Sequence, residues 1–184
     1  MVEGWAALEG TWTGDRLMAD RQAPPRREPP VPSRWTSPPC PPPEAGWPTV
    51  VRRGDIELDY HLGDLGTSGA AVAVTLFRPG PEQVVLVVAA ADVAAVEARL
   101  RPQLGASLCV VPSRCTKAEL DQAHAHLSSR LDSWNIHRMG VSSDADGQAR
   151  IVVNLTMVTP EIAAWAASAP PGVADLRPWL SPIS

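Results

Sequence analysis

Lysine, tyrosine and phenylalanine are almost missing from this 184-residue chain, in which Lys117 is the one lysine and each of the two aromatic types occurs once. The other basic side chains are arginines, and the formal net charge is −4. Such a chain has no overall basic excess of the kind that attracts nucleic acid or an anionic membrane surface. The composition therefore disfavours nucleic-acid and membrane partners.

Long apolar runs are also missing. The longest, residues 84–91, ends at Asp92, whereas a helix that spans a bilayer needs roughly 20 apolar residues. The first ten residues include Glu3 and Glu9 and contain no apolar stretch of the kind found in secretory signals. We expect a soluble, cytoplasmic protein.

Cysteine occurs three times, at Cys40, Cys109 and Cys115. An odd number without a repeated spacing does not indicate a disulfide framework. Cys109 lies in an apolar run and is interpreted as a small core residue. Cys115 directly precedes a predicted helix, whose N-terminus can lower the pKa of a thiol, although the sequence pairs no base with it.

Familiar catalytic and cofactor motifs are missing too: there is no nucleophile elbow, P-loop, dinucleotide fingerprint or paired-cysteine metal motif. Asp144 and Asp146 resemble the start of a calcium loop, but Val153 stands where that loop needs glutamate. Residues 63–69 contain three glycines, yet a strand is predicted to follow them, so a hairpin loop is favoured over a phosphate cradle. We therefore expect no cofactor and no metal.

The predicted fold is organised around an apolar run at residues 107–111 and an amphipathic helix at residues 116–134. Thr116 and Glu119 have the spacing of a capping box, which predicts the start of the helix. The run before it is predicted to be a central strand that is buried on both faces. The apolar face of the helix is formed by Leu120, Ala123, Leu127, Leu131 and Trp134.

Alternating and continuous apolar runs predict the remaining strands, at residues 55–62, 71–77, 84–88, 136–141 and 149–158. Asp92 and the Thr159–Pro160 pair predict two further helix starts, and the tail with Trp179 is expected to pack back on the domain. We predict an α+β fold in which a two-layer, mixed or antiparallel sheet of about five or six strands packs against two or three helices. The order hairpin, Ala-rich helix and extended segment occurs in residues 71–112 and again in residues 135–180, which suggests a duplicated unit.

We predict that residues 1–48 form an N-terminal arm rich in tryptophan and proline, ahead of a single domain at residues 49–184. Eleven of the twenty-five residues from 24 to 48 are proline, which favours an extended polyproline conformation. Arg26, Pro29 and Pro32 match a spacing that SH3-like domains recognise. Trp35 and Trp47 require an apolar surface, on this domain or on a partner.

These features favour a non-enzymatic interaction or assembly module whose partner is another protein or a second copy of the chain. The candidate partner-binding residues are Trp35, Trp47, Arg26, Pro29 and Pro32.

Two alternatives remain open. The first is a small hydrolase or transferase with its site on the polar edge of helix 116–134, where His124 and Asp121 are the catalytic candidates and Cys115 is nearby. His124 and His126 point about 200° apart on a helix, so they cannot share a metal. The second alternative is a sensor that binds a small ligand between the sheet and this helix.

Overall fold

The computed structural model describes residues 7–13, 16–23, 36–49 and 64–180. The chain divides into two compact units, Met1–Arg34 and Trp35–Ser184. In the first unit, β1 (Ala7–Trp12) pairs antiparallel with β2 (Leu17–Ala23). The strand predicted at residues 55–62 lies outside the described residues.

In the second unit the first sheet contains β3 (Ala71–Gly80), β4 (Gln83–Ala90) and β5 (Leu108–Pro112), in that order. The β3–β4 pair is antiparallel and the β4–β5 pair is parallel, with α1 (Val93–Leu104) connecting β4 to β5. The prediction that residues 107–111 form a central strand was wrong, because β5 lies at the edge of the sheet that the described strands form. The central strand is β4, whose last six residues are all buried.

The second sheet repeats this plan with β6 (Ile136–Ser143), β7 (Ala149–Met157) and β8 (Ala174–Leu180). The β6–β7 pair is antiparallel and the β7–β8 pair is parallel, and α3 (Pro160–Ser168) makes the crossover. The predicted repetition of hairpin, helix and extended segment is therefore confirmed as a repeated strand order.

The fold is mixed α/β, but the described strands form sheets of two, three and three strands instead of one sheet of five or six. Each hairpin, helix and final strand completes its own small sheet. Between the two repeats, β3 and β6 meet through side chains, with Thr75 Oγ1 2.8 Å from Ser143 Oγ. No helix in the described part of the chain is long and apolar enough to cross a membrane.

The helix between the repeats, α2 (Lys117–Ser128), begins at the predicted capping box. The Thr116 hydroxyl accepts a hydrogen bond from the Glu119 amide at 3.2 Å, and the Glu119 carboxylate accepts one from the Thr116 amide at 2.7 Å. The helix ends earlier than predicted, and Leu131 lies in the following turn with 39% of its surface exposed. The buried face of α2 packs in one cluster with residues of both sheets, and this face consists of Leu120, Ala123 and Leu127.

The other predicted helix starts are confirmed. Asp92 Oδ1 accepts from the Ala95 amide at 2.9 Å, and Thr159 Oγ1 accepts from the Ile162 amide at 3.3 Å. Helix α1 continues past Pro102 and stops at Gly105, which has a positive φ of 50° that glycine adopts at little cost. Local side-chain chemistry thus places the start of all three of these helices.

Candidate functional site

Residues 36–49, here called the strap, lie against the first sheet on the face opposite α1. Trp47 packs beside a buried cluster that includes Phe77, Val85 and Val87. The strap is also hydrogen bonded to the sheet, since the Thr36 amide donates to the Arg78 carbonyl at 2.7 Å. Trp47 therefore packs on this domain itself and is half-buried, and its role in partner binding stays a prediction.

The other predicted partner-binding residues, Arg26, Pro29, Pro32 and Trp35, lie outside the described residues. Their role stays a prediction.

A disulfide joins Cys40 in the strap to Cys109 in β5, across a sequence separation of 69 residues and a Cα–Cα distance of 5.8 Å. Cys109 is a buried core residue as predicted, with 1% of its surface exposed, but its sulfur is also bonded to Cys40, a pairing that the number of cysteines did not indicate. Sequence spacing gave no sign of this pairing, because the two cysteines meet only when the strap folds back over the sheet.

Cys115 is the remaining free cysteine among the described residues, and it is buried, with 7% of its surface exposed. Burial raises the pKa of the Cys115 thiol, and the negative charge of Glu119 adds to the rise, while the hydrogen bond with Ser113 opposes it. The expected lowering by the helix N-terminus is therefore overturned. A protonated, buried thiol is a poor nucleophile.

The polar edge of α2 is occupied by two pairs spaced four residues apart. Lys117 forms an ion pair with Asp121, and His124 Nδ1 lies 3.5 Å from the Ser128 hydroxyl. Lys117 and Asp121 also line an open cleft of about 640 Å³ opposite residues 66–69. The structure thus brings the predicted edge beside the glycine-containing residues 66–69. Residues 64–67 form a short helix where the sequence predicts a hairpin loop.

His126, which points away from His124 on the helix, is half-buried in an aromatic cluster. Its ring stacks on Trp165 with a centroid distance of 5.4 Å and an interplanar angle of 1°, and it lies 5.4 Å from the ring of Trp134. The tryptophans come from the turn after α2 and from α3, so only tertiary packing unites the three rings. The Arg130 guanidinium adds a cation–π contact, 5.9 Å from the centre of the Trp134 ring.

The second sheet presents a polar surface on one side, here called the outer face. Along β7, Ile151, Val153 and Leu155 are fully buried, so the alternate residues of β7 and their partners in β6 and β8 point the other way. The polar and aromatic residues of the outer face are His137, Arg138, Ser142, Arg150, Asn154, Thr156, Asp175, Arg177 and Trp179.

An aromatic pair dominates one end of the outer face. Trp179 stacks on His137 with ring centroids 4.1 Å apart, and His137 Nε2 lies 2.8 Å from the Thr156 hydroxyl. Trp179 has 68% of its surface exposed, the largest fraction found for a large hydrophobic residue in the described ranges. The tail packs back on the domain as predicted, because β8 pairs with β7, but β8 turns the Trp179 side chain to solvent.

The charge of the outer face is opposite to that of the whole chain. Arg177 binds Asp175 through Nε and Nη2 at 3.0 and 2.9 Å, and Arg150 Nη1 lies 3.3 Å from the same carboxylate oxygen. Arg138 is exposed. Three arginines against one aspartate give this face a formal charge of +2, in a chain whose net charge is −4. The outer face therefore suits an anionic partner.

No family model, curated protein or solved structure matches the chain. Within the described ranges, no group of three or more histidine, cysteine, aspartate or glutamate side chains is placed to hold a metal ion. A functional assignment therefore depends on the geometry of these surfaces.

Proposed function

We propose that this protein is a non-enzymatic interaction module that binds an acidic segment of another protein on the outer face of its second sheet. The observation that carries the proposal is the 68% exposure of Trp179 at the end of a net-positive surface. Large exposed aromatic residues are frequent anchors of protein interfaces.

The Trp179 ring is held ready for binding. Its stacking on His137, and the bond from His137 to Thr156, limit the orientations that the ring can adopt. A side chain already ordered in the free protein loses less conformational entropy when a partner covers it. The buried area of one tryptophan, roughly 150 to 250 Å², is large enough to anchor a short peptide.

The arginines of the outer face select the charge of the partner. Arg177 pairs with Asp175 at the surface, with 53% of the arginine side chain exposed, and Arg138 is exposed on the same face. Exposed cations of this kind speed the association of acidic partners. Added salt screens this attraction and should weaken binding. A second copy of this acidic chain satisfies the same requirement and would appear as a concentration-dependent dimer.

Selection from a displayed peptide library tests the proposal. We expect the wild type to enrich acidic peptides, and Trp179→Ala to bind those peptides at least tenfold more weakly. The control variant Leu131→Ala, which also loses an exposed apolar side chain, should bind them as the wild type does. Equal enrichment on the wild-type and Trp179→Ala proteins, or selection of basic peptides, would refute it.

The cleft between Lys117, Asp121 and residues 66–69 favours two further candidates. One is a small hydrolase or transferase with its site at the edge of α2, and the other is a sensor of a small ligand. His124 and Asp121 would carry acid–base chemistry in the enzyme. Activity in a substrate screen that survives both His124→Ala and Asp121→Asn would remove these catalytic roles. Thermal-shift screening against metabolites, with the same variants, tests the sensor.

The cytoplasmic location predicted from the sequence stays a prediction. The Cys40–Cys109 disulfide weighs against it, since disulfides are rare in reducing compartments. Rapid alkylation of intact cells followed by mass spectrometry distinguishes the cytoplasm from a more oxidising compartment. A reduced Cys40–Cys109 pair supports the cytoplasm, and an oxidised pair supports a more oxidising compartment.

A further inference from the structure

Where β3 passes β6, the two repeats and the first residues of the strap, Thr36 and Ser37, line an open cleft of about 470 Å³. Hydroxyl groups line it from both sides, since Thr75 of β3 and Ser143 of β6 are in contact across it and Ser142 lies beside them. Leu76 adds an apolar wall that is 49% exposed, and Arg150 of β7 supplies a positive charge. The cleft thus combines several hydroxyl groups with one guanidinium.

The charge of Arg150 is poorly compensated. Its side chain is 27% exposed, and its one ion pair with the described residues joins Nη1 to Asp175 at 3.3 Å. The same carboxylate oxygen accepts two shorter hydrogen bonds from Arg177. Arg150 Nε is buried and has no hydrogen-bond partner among the described residues. Arg150 therefore keeps positive charge that its own fold compensates only in part, although the buried Nε itself is closed to a ligand.

The cleft also contains one carboxylate, that of Asp144. Its Oδ1 accepts hydrogen bonds from the backbone amides of Asp146 and Gln148, each at 2.9 Å. These bonds hold Asp144 in the β6–β7 turn and compensate part of its charge. The remaining polar groups of the cleft that are named above are donors or hydroxyls, which favours an anionic ligand.

We propose that this cleft binds a small oxyanion, a phosphate monoester or a carboxylate, that carries an apolar group. Arg150 would pair with the anion, because a guanidinium offers donors in a planar fork that matches two oxygens. The Ser142 hydroxyl would donate to a remaining oxygen, as would whichever hydroxyl of the Thr75–Ser143 pair does not donate to the other. The apolar group would lie against Leu76. This site shares Arg150 and Ser142 with the outer face, but it lies at the end of β7 opposite to the end where Trp179 stands.

Calorimetric titration of the full-length protein with phenyl phosphate, inorganic phosphate and benzoate tests the proposal. We expect phenyl phosphate or benzoate to bind more tightly than inorganic phosphate, and the preferred one of the two identifies the anion class. Arg150→Gln should weaken binding about tenfold or more, as expected for the loss of a charge-assisted hydrogen bond. The matched control Arg138→Gln, which removes an exposed arginine from the same face, should leave the affinity unchanged.

A second variant tests the charge argument in the opposite direction. Asp175→Asn removes the carboxylate that competes for Arg150, so anion binding should become about threefold tighter or more. Trp179→Ala should have no effect, which separates failure here from failure of the peptide surface. No binding of any of the three anions up to about 10 mM, or equal affinities for the wild type and Arg150→Gln, would overturn the proposal. If Arg150→Gln does not fold, unchanged affinity in both Asp175→Asn and Ser142→Ala overturns it instead.

Discussion

Cys40 of the strap is bonded to Cys109 of β5, so a covalent link fastens the strap to the edge strand of the first sheet. Trp47 packs on the same face of that sheet. Without the link, the strap would be held to the sheet by packing and a few hydrogen bonds alone. In the chain-entropy model, the disulfide stabilises the fold mainly by reducing the conformational entropy of the unfolded chain.

Breaking this disulfide should lower the free energy of unfolding. For a loop closed across 69 residues, the chain-entropy estimate is about 4 kcal/mol. Urea denaturation with and without reductant, followed by circular dichroism, measures the difference. Reductant should have no effect on Cys40→Ser, and equal stability of the oxidised and reduced wild type would contradict the account.

Cys115 should resist alkylation in the folded protein. Its thiol is buried and its pKa is raised, so little thiolate forms within the range in which an ordinary cysteine reacts. Mass spectrometry after iodoacetamide treatment should find slow labelling of the native protein at neutral pH and rapid labelling in denaturant. Fast native labelling at neutral pH would restore Cys115 as a candidate nucleophile.

Alanine substitutions of Trp47 and Trp179 should differ strongly in their effect on stability. Trp47→Ala removes a side chain packed against the first sheet and should cost about 2 kcal/mol of folding free energy. Trp179→Ala removes an exposed side chain and should change stability by less than about 0.5 kcal/mol. Chemical denaturation compares them, and a large loss in Trp179→Ala would show that the ring serves the fold.

Gly147 and Gly172 form a matched pair, with φ of 76° and 78°. Alanine at Gly172 meets open space and should cost only the backbone strain, about 1 kcal/mol. At Gly147 an added Cβ would lie 2.9 Å from both Pro39 of the strap and Val87 of β4, so Gly147→Ala should cost more. Equal thermal stability of the two variants would mean that the strap does not pack against the β6–β7 turn.

The capping box should make stability depend on pH in acid. Hydrogen bonds from Thr116 lower the pKa of Glu119 in the folded state, so its contribution is complete above the ordinary carboxyl range and is lost as pH falls through the lowered value. Glu119→Gln should therefore be less stable than the wild type at neutral pH, with the difference shrinking in acid. Unfolding curves of both proteins across this pH range measure the stability difference. A difference that does not change with pH would show that the charge of Glu119 does not stabilise the capping box.

The starts of the helices were predictable because Thr116, Asp92 and Thr159 act on amides only a few residues away. The repeated order of elements was predictable for a similar reason, since it follows from local periodicity. The edge position of β5 was not predictable, because it depends on which strands pair across a long separation. The Cys40–Cys109 bond depends in the same way on the path of the strap.

The candidate sites were harder to predict than the fold. In the sequence, Trp179 resembles a core residue. Its exposure follows from tertiary packing, because the described residues leave the outer face of β8 uncovered. Arg150 and Thr75 come from different repeats and line one cleft only because β3 packs beside β6. His124 and Asp121 were placed correctly on one edge of a helix, and their proposed chemistry stays a prediction.

The most direct test of the central claim is affinity capture from the native cell with full-length protein in three forms. These are the wild type, Trp179→Ala, and a variant in which Arg26, Pro29 and Pro32 of the arm are changed to alanine. We predict that the wild type and the arm variant retain the same acidic partner and that Trp179→Ala loses it. Retention by Trp179→Ala together with loss by the arm variant would contradict the outer-face account and assign recognition to the arm.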